Sequence, residues 1–374
     1  MKAFISVGET SGDMHAATVV TEIRSRFSGD VYGIAGPRMQ AAGCVALHDM
    51  NELNVMGLGE VLVALARIRR VERSVLEWCG AEQPDVAILV DFSGFHMRLG
   101  RKLRLLGIPV LHFIAPKLWA WGSWRVRKLK QSQDALACIL PFEPDWFSKH
   151  GIHGQYVGNP SAEACAGGWS AVALKERLAI KQEQTLLALL PGSRPQELRM
   201  HVPLLTEVLH RIREHTADIA CVVPVAPGVD MAILEPLWQA GALPIRREEK
   251  DYALRADLAV AVSGTATLEL ALWDVPTLLV YQTSALTAFL AQRLVQLQCA
   301  GLANIILDDK PVMPELIQQK CTIENIMAHL LPLLDHSEQA ETQRAAFKEL
   351  RRRLGQHQVA VHVVDMLEQL LNIP

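Results

Sequence analysis

Short apolar runs recur along this chain, and segments of helical periodicity separate them. In the first half the runs are Phe4–Val7, Val31–Ala35, Val86–Val90, Val110–Ile114 and Leu136–Leu140. Each is apolar on both faces, as strands of a parallel sheet are when helices cover the sheet from both sides. Met14–Arg26 and Leu62–Trp78 carry helical spacing between them. Repeated strand–helix order predicts a doubly wound α/β domain.

A second series follows. Leu186–Leu190, Ala220–Val225, Leu258–Val262 and Thr277–Tyr281 read as strands, with helices at about Gln196–His215, Thr267–Leu272 and Ala285–Gln296. The chain has 374 residues, enough for two domains that each bury a core. Domains are expected at residues 1–165 and 170–340, joined near Ala162–Ser170, where Gly167-Gly168 suits a linker. The tail is helical over Ile323–Leu334, Gln339–Leu354 and Val359–Leu371. Residues 341–374 are taken as C-terminal helices that can cross back onto the first domain.

Charge and cysteine usage narrow the functional classes. A net charge of −3 argues against a general nucleic-acid binder. Residues 61–130 nevertheless hold 13 Lys/Arg against 5 Asp/Glu, a basic region suited to an anionic surface or to a solvated helix face. Leu62–Val71 and Pro116–Trp121, the latter followed by Arg125, Arg127, Lys128 and Lys130, mix apolar and basic residues. Such stretches fit a membrane surface or an acceptor site, although ordinary core packing is the commoner cause of such patterns. Seven Cys without a CxxC pair suggest a reducing cytosol and no zinc site. No apolar stretch is long enough to span a bilayer.

Ligands of open α/β sheets sit beyond the carboxyl ends of the strands, so the strand-to-helix loops are where chemistry is expected. The first is Gly8-Glu9-Thr10-Ser11-Gly12-Asp13. Ser11 or Asp13 can cap the helix, and Glu9 can hold a substrate hydroxyl. Asp91 ends the strand Val86–Val90 and is a candidate base or a structural cap. Pro191-Gly192-Ser193-Arg194 is a turn whose N–H groups suit a phosphate, with the Arg194 cation beside it. Ser263-Gly264-Thr265-Ala266-Thr267-Leu268-Glu269 offers small residues at another helix start. There Glu269 can accept from ribose hydroxyls or act in capping. No DxD, HExxH, EF-hand, GxSxG or dinucleotide fingerprint is present, and no metal or other cofactor is expected.

Taken in order, these loops resemble the lipid-A-disaccharide synthase family. Ala35-Gly36-Pro37-Arg38-Met39, Val55-Met56-Gly57, Pro116 with Trp119-Ala120-Trp121, Leu140-Pro141-Phe142-Glu143 and Val157-Gly158-Asn159-Pro160 carry the resemblance further. It implies a glycosyltransferase B fold, with two Rossmann-like domains facing a cleft. It implies an inverting transfer from UDP-2,3-diacylglucosamine to 2,3-diacylglucosamine 1-phosphate (lipid X), giving lipid A disaccharide 1-phosphate and UDP without a metal. The site residues it implies are Asp91 as base, Glu9, Ser11 and Gly12 near the substrate, and Arg194 with Gly192, Ser193, Ser263, Gly264, Thr265 and Glu269 at the UDP. Asn304, Glu315 and Gln318 match later family positions, although Ala303 and Ile305-Ile306 stand where the family has Pro and Leu-Leu. A peripheral, cytoplasmic-face protein touching anionic lipid, with no nucleic-acid partner and room for a homodimer, is the corresponding expectation. The competing readings are a UDP-GlcNAc 2-epimerase on the same fold, a transferase using another lipid acceptor, and a UDP-sugar-binding regulator without turnover.

Overall fold

The computed structural model describes residues 1–53, 61–165, 171–226, 228–246, 255–284, 297–334 and 338–373. The expected helix Ala285–Gln296, the Val55-Met56-Gly57 motif and Gly167-Gly168 of the expected linker lie outside these residues. The chain divides into two units, one of Met1–Glu163 with Gln356–Pro374 and the other of Ala164–Gly355.

Among the described residues the first unit holds a seven-stranded parallel sheet. Its strands are β1 (Ala3–Ser6), β2 (Val31–Ala35), β3 (Cys44–Asp49), β4 (Val86–Val90), β5 (Val110–Phe113), β6 (Ala135–Cys138) and β7 (Gly154–Tyr156). They lie in the order β3-β2-β1-β4-β5-β6-β7. The second unit holds a six-stranded sheet of β8 (Thr185–Leu190), β9 (Ile219–Val225), β10 (Leu243–Arg246), β11 (Leu258–Val262), β12 (Thr277–Tyr281) and β13 (Glu315–Ile317). Its order is β10-β9-β8-β11-β12-β13, and every pairing is parallel.

The central strands β1, β4 and β11 are buried at every position, so their sequences show no alternation. The edge strands β3, β7, β10 and β13 were not expected from sequence. β3 and β10 are exposed at several positions, and β7 and β13 are three residues long. An edge strand is covered less completely and does not need a continuous apolar run.

The terminal helices are divided between the units, so residues 341–374 are not one segment. Helix Glu338–Leu354 belongs to the second unit, where Gln343 accepts the Thr277 N–H (2.8 Å) and Arg351 pairs with Asp274 (2.8 Å). Helix Val359–Leu371 returns to the first unit, as expected for a C-terminus that crosses back. Its buried Val359, Val363, Val364 and Leu367 repeat at helical spacing and join the core that holds β1 and β4, the helix packing against helix Thr10–Arg26 and β6. Arg26 of helix Thr10–Arg26 pins it through Asp365 (2.6 Å) and Glu368 (3.3 Å). Among the described residues no helix is long and apolar enough to cross a membrane.

The core of the first unit therefore depends on the last helix of the chain. Leu367→Ala is expected to cost about 2–5 kcal/mol, as large-to-small core substitutions do. Hydrogen exchange should show faster exchange in β1 and β4 and no change in β8 and β11. Equal acceleration in both sheets would contradict this division.

Candidate active site

Each sheet winds outward in two directions from one point. At that point two neighbouring strands send their loops to opposite faces, which opens a crevice for a ligand. The reversal lies between β1 and β4 in the first sheet and between β8 and β11 in the second. Glu9 and Asp91 follow the first pair, and Gly192-Ser193-Arg194 and Ser263-Gly264-Thr265 follow the second.

Asp91 occupies an unusual turn. Asp91 and Phe92 are consecutive left-handed residues (φ +49° and +45°), and Ile114 at the end of the adjacent β5 is a third (φ +68°). Each costs on the order of 1–2 kcal/mol, so the surroundings must hold them in place. Several contacts do so. The Phe92 ring lies where a Cβ on Gly8 would sit, 2.4 Å from the ring's Cγ, so only glycine allows this approach. The Asp91 N–H donates to the Phe113 carbonyl (2.9 Å). Beneath the turn His96 is fully buried, and burial lowers its pKa to about 4, so it is neutral at neutral pH. Its Nδ1–H donates to the Asp91 carbonyl (2.7 Å), which leaves Nε2 to accept the Ser6 hydroxyl (2.9 Å).

Burial raises the Asp91 pKa, while the Lys117 charge and the Phe92 N–H pull it back down. The Lys117 loop is anchored through Trp119, whose indole donates to Glu143 (3.0 Å). Glu143 also accepts the Ile139 and Leu140 N–H groups, and burial pushes its carboxyl up to about 7 against these donors. Glu9 and Ser11 lie exposed at the start of the neighbouring helix, and Gly12 is buried against Val7 and Val90.

The expected capping by Ser11 or Asp13 is replaced by another arrangement. Glu9 is the N-cap residue, and its side chain does not make the cap bond. Asp13 lies one turn inside, where its own N–H already bonds Glu9 O (3.0 Å). Its buried carboxylate instead accepts the N–H groups of Gly36, Arg38 and Met39 (2.9–3.0 Å), capping the helix Pro37–Ala41.

In the second unit Gly192, Ser193, Arg194, Ser263, Gly264 and Thr265 line one pocket of about 200 Å³. Ligand pockets run from about 300 Å³ upward, so this one has room for a phosphate group rather than a whole nucleotide. Of the two turns expected to offer N–H groups, the first has its own occupied. Those of Ser193 and Arg194 are taken by Glu197 Oε2 (3.1 and 3.2 Å), which caps the helix Pro195–His215. Thr265 and Ala266, opening the helix Thr265–Leu272, have N–H groups with no protein acceptor among the described residues. The Arg194 side chain is 75% exposed and lies 3.5 Å from Glu197, free to swing toward an anion. Glu269 is half-buried in the next turn.

Asn304 and Glu315 form a support behind this pocket. Glu315 accepts from Ala300 N (2.8 Å), Gly301 N (2.9 Å) and the Asn304 amide (2.7 Å). The Ser263 hydroxyl donates to Ala300 O (3.1 Å), which couples the support to the pocket. Asn304 is fully buried, and its amide is spent on Met313 and Glu315. Gln318 faces the Thr283 main chain and does not line the pocket. Sequence reasoning missed His96, Lys117 and Glu197. Only Glu197 had a signal, a Glu three residues after the N-cap.

The family described as Lipid-A-disaccharide synthetase matches residues 3–366. The lipid-A-disaccharide synthase of Myxococcus xanthus is 35% identical over 374 residues, covering 99% of this chain and 97% of its own. The chain belongs to the lipid-A-disaccharide synthase family. It is therefore an enzyme of the glycosyltransferase class, acting in lipid A biosynthesis. Among solved structures, a putative UDP-N-acetylglucosamine 2-epimerase from Listeria monocytogenes superposes with a TM-score of 0.69 at 16% identity, covering 100% of this chain and 97% of its own. The calicheamicin glycosyltransferase CalG4 follows with a TM-score of 0.59 at 15% identity, covering 100% and 99%. At such identity the likeness concerns the fold, which the family member here shares with both.

Removing the buried amide leaves Met313 N and Met313 O unsatisfied and takes one of three donors from Glu315. Asn304→Ala is therefore expected to destabilise the second unit by about 1–3 kcal/mol in urea unfolding. A loss under about 0.5 kcal/mol, the range of ordinary surface changes, would contradict the supporting role.

Proposed function

We propose that the chain transfers 2,3-diacylglucosamine from its UDP donor to the 6-hydroxyl of 2,3-diacylglucosamine 1-phosphate with inversion, releasing UDP. Asp91 is the base in this reading. It takes the acceptor proton as the oxygen attacks the anomeric carbon, and an oxocarbenium-like transition state forms as the diphosphate leaves. The observation that carries the proposal is a strained, partly buried carboxylate at one winding reversal and, at the other, a phosphate-sized pocket whose Thr265 and Ala266 N–H groups have no acceptor among the described residues.

Charge grows on the departing diphosphate. In this reading Arg194 and the N–H groups of Thr265 and Ala266 receive it, and preorganised donors of this kind commonly contribute more than the proton transfer. Gly192, Ser193, Ser263 and Gly264 shape the diphosphate site, and Glu269 holds the ribose. Glu9, Ser11 and Gly12 border the sugar beside Asp91. Glu315, fixed by Asn304, holds the Ala300-Gly301 segment against Ser263, and Gln318 steadies the following strand end. No protein-bound metal enters the scheme. Both substrates are acylated, so the enzyme is proposed to work peripherally at the cytoplasmic face of the inner membrane. The exposed Leu105, Leu106 and Trp124 among basic neighbours support that placement.

Asp91→Asn keeps the shape of the turn and removes the base. Disaccharide formation in mixed micelles is expected to fall about 10²–10⁴-fold, the usual contribution of a positioned base. Near-normal turnover would remove Asp91 from the role.

The pH profile offers an independent check. A raised Asp91 pKa means the carboxylate is lost, and activity with it, as pH falls through a midpoint above the ordinary carboxylate range. Lys117→Ala removes a cation that favours the charged form, so the acidic limb should move to higher pH. A limb that stays put or moves lower would contradict the Lys117–Asp91 interaction.

A further inference from the structure

The first unit carries a larger concavity that the reaction scheme leaves unused. A groove of about 750 Å³ runs along the helix Ser93–Leu105, with Trp121, Arg125 and Lys128 on its other side. The helix contributes Gly94, Met97, Arg98, Arg101, Lys102 and Leu105, which repeat at i, i+3, i+4, i+7, i+8 and i+11 and so form one face. At 1.5 Å per residue the stripe is about 16 Å long. One end lies at Gly94, three residues beyond Asp91, where Arg125 donates to the Ser93 hydroxyl (3.2 Å).

Two properties of the groove call for a partner. Two of its apolar side chains are left in water, with Leu105 79% and Trp121 47% exposed, while Met97 is buried at its floor. Its cations are only partly neutralised. Arg98 and Lys102 share the buried Glu72 (2.9 and 3.1 Å). Arg101, Arg125 and Lys128 have no acidic partner among the described residues, and the Arg125 guanidinium stacks over the Trp121 ring at 5.2 Å. A water-soluble anion would leave Leu105 and Trp121 bare, and a neutral lipid would leave three cations unmatched. An anionic group joined to a hydrocarbon chain satisfies both.

We infer that this groove seats the acceptor of the transfer reaction, one acyl chain lying along Met97, Leu105 and Trp121 and the phosphate held by Arg101, Arg125 and Lys128. The inference rests on the glycosyl-transfer reading above. It supplies what that reading lacks, a means of bringing the acceptor sugar to the Asp91 end of the groove. Anionic headgroups of the bilayer have the same chemistry, so the test must separate the two sources.

The test compares wild type with the exposed-site double variant Arg101→Glu/Lys128→Glu, after thermal unfolding confirms equal stability. The probe is 2,3-diacylglucosamine 1-phosphate with a brominated acyl chain in neutral detergent micelles. Binding is followed by quenching of tryptophan fluorescence, turnover by the KM of each substrate, and bilayer association by sedimentation with phosphatidylglycerol vesicles. The double variant should bind the probe about tenfold more weakly and raise the acceptor KM to match, because each change both removes a cation and sets a carboxylate against the phosphate. The UDP-sugar KM should stay unchanged, and Trp121→Phe should reduce the quenching. Unaltered acceptor affinity overturns the inference, and if vesicle binding alone falls, the cations belong to the bilayer instead. Groove-dependent probe binding by a wild type that forms no disaccharide would uphold the groove and sink the reaction reading.

Discussion

The Phe92 ring resting on Gly8 joins the loop after β4 to the loop after β1 across the point where the first sheet reverses its winding. Because the ring occupies the space of a Cβ, Asp91 and Phe92 can take two left-handed conformations in succession, and the helix Ser93–Leu105 can begin at once. The neutral His96 then ties the Asp91 carbonyl to Ser6 inside β1. A carboxylate on a flexible loop would sample many orientations. Here the backbone carrying it is fixed from below by a hydrogen-bonded pair and from the side by an aromatic contact. Placing the Asp91 carboxylate and orienting the helix Ser93–Leu105 are thus one structural event, since both follow from this turn.

The two units use the same geometric opportunity with opposite electrostatics. The first presents an acid whose charge is restrained by burial and restored in part by Lys117. The second presents donors, namely the N–H groups that open the helix Thr265–Leu272 and the exposed Arg194. Glu197 explains why the neighbouring turn does not add its own N–H groups, because its carboxylate already fills the position of an anion there. This division suits a reaction in which a proton leaves one partner while negative charge accumulates on the other.

Much of this was legible in the sequence, for definite reasons. Strands buried on both faces show as unbroken apolar runs, so β1, β4, β8 and β11, the four that flank the winding reversals, were the plainest of all. Asp91 was legible as a candidate base or a structural cap because it closes one such run, and the loop order carried the family resemblance. The local conformations were not legible. Two adjacent left-handed residues without glycine leave no compositional mark, and the support from His96 depends on contacts far apart in the chain. Asn304 shows the same limit, since the family resemblance alone marked it for substrate, and its burial and its bonds to Met313 and Glu315 left no mark in the sequence. The return of helix Val359–Leu371 to the first core was anticipated only as an option, because its apolar stripe fits any partner of matching shape.

The most direct test of the central claim is the stereochemistry of the product. Purified protein is incubated with UDP-2,3-diacylglucosamine, whose sugar is α-linked, and 2,3-diacylglucosamine 1-phosphate in neutral micelles, and the new linkage is read by proton NMR at the anomeric position. Attack from the face opposite the departing UDP requires a β-1',6-linked disaccharide and one UDP for each linkage formed. An α-linked product would contradict the single displacement assisted by Asp91. Absence of any disaccharide, from folded protein that binds UDP, would contradict the transfer itself.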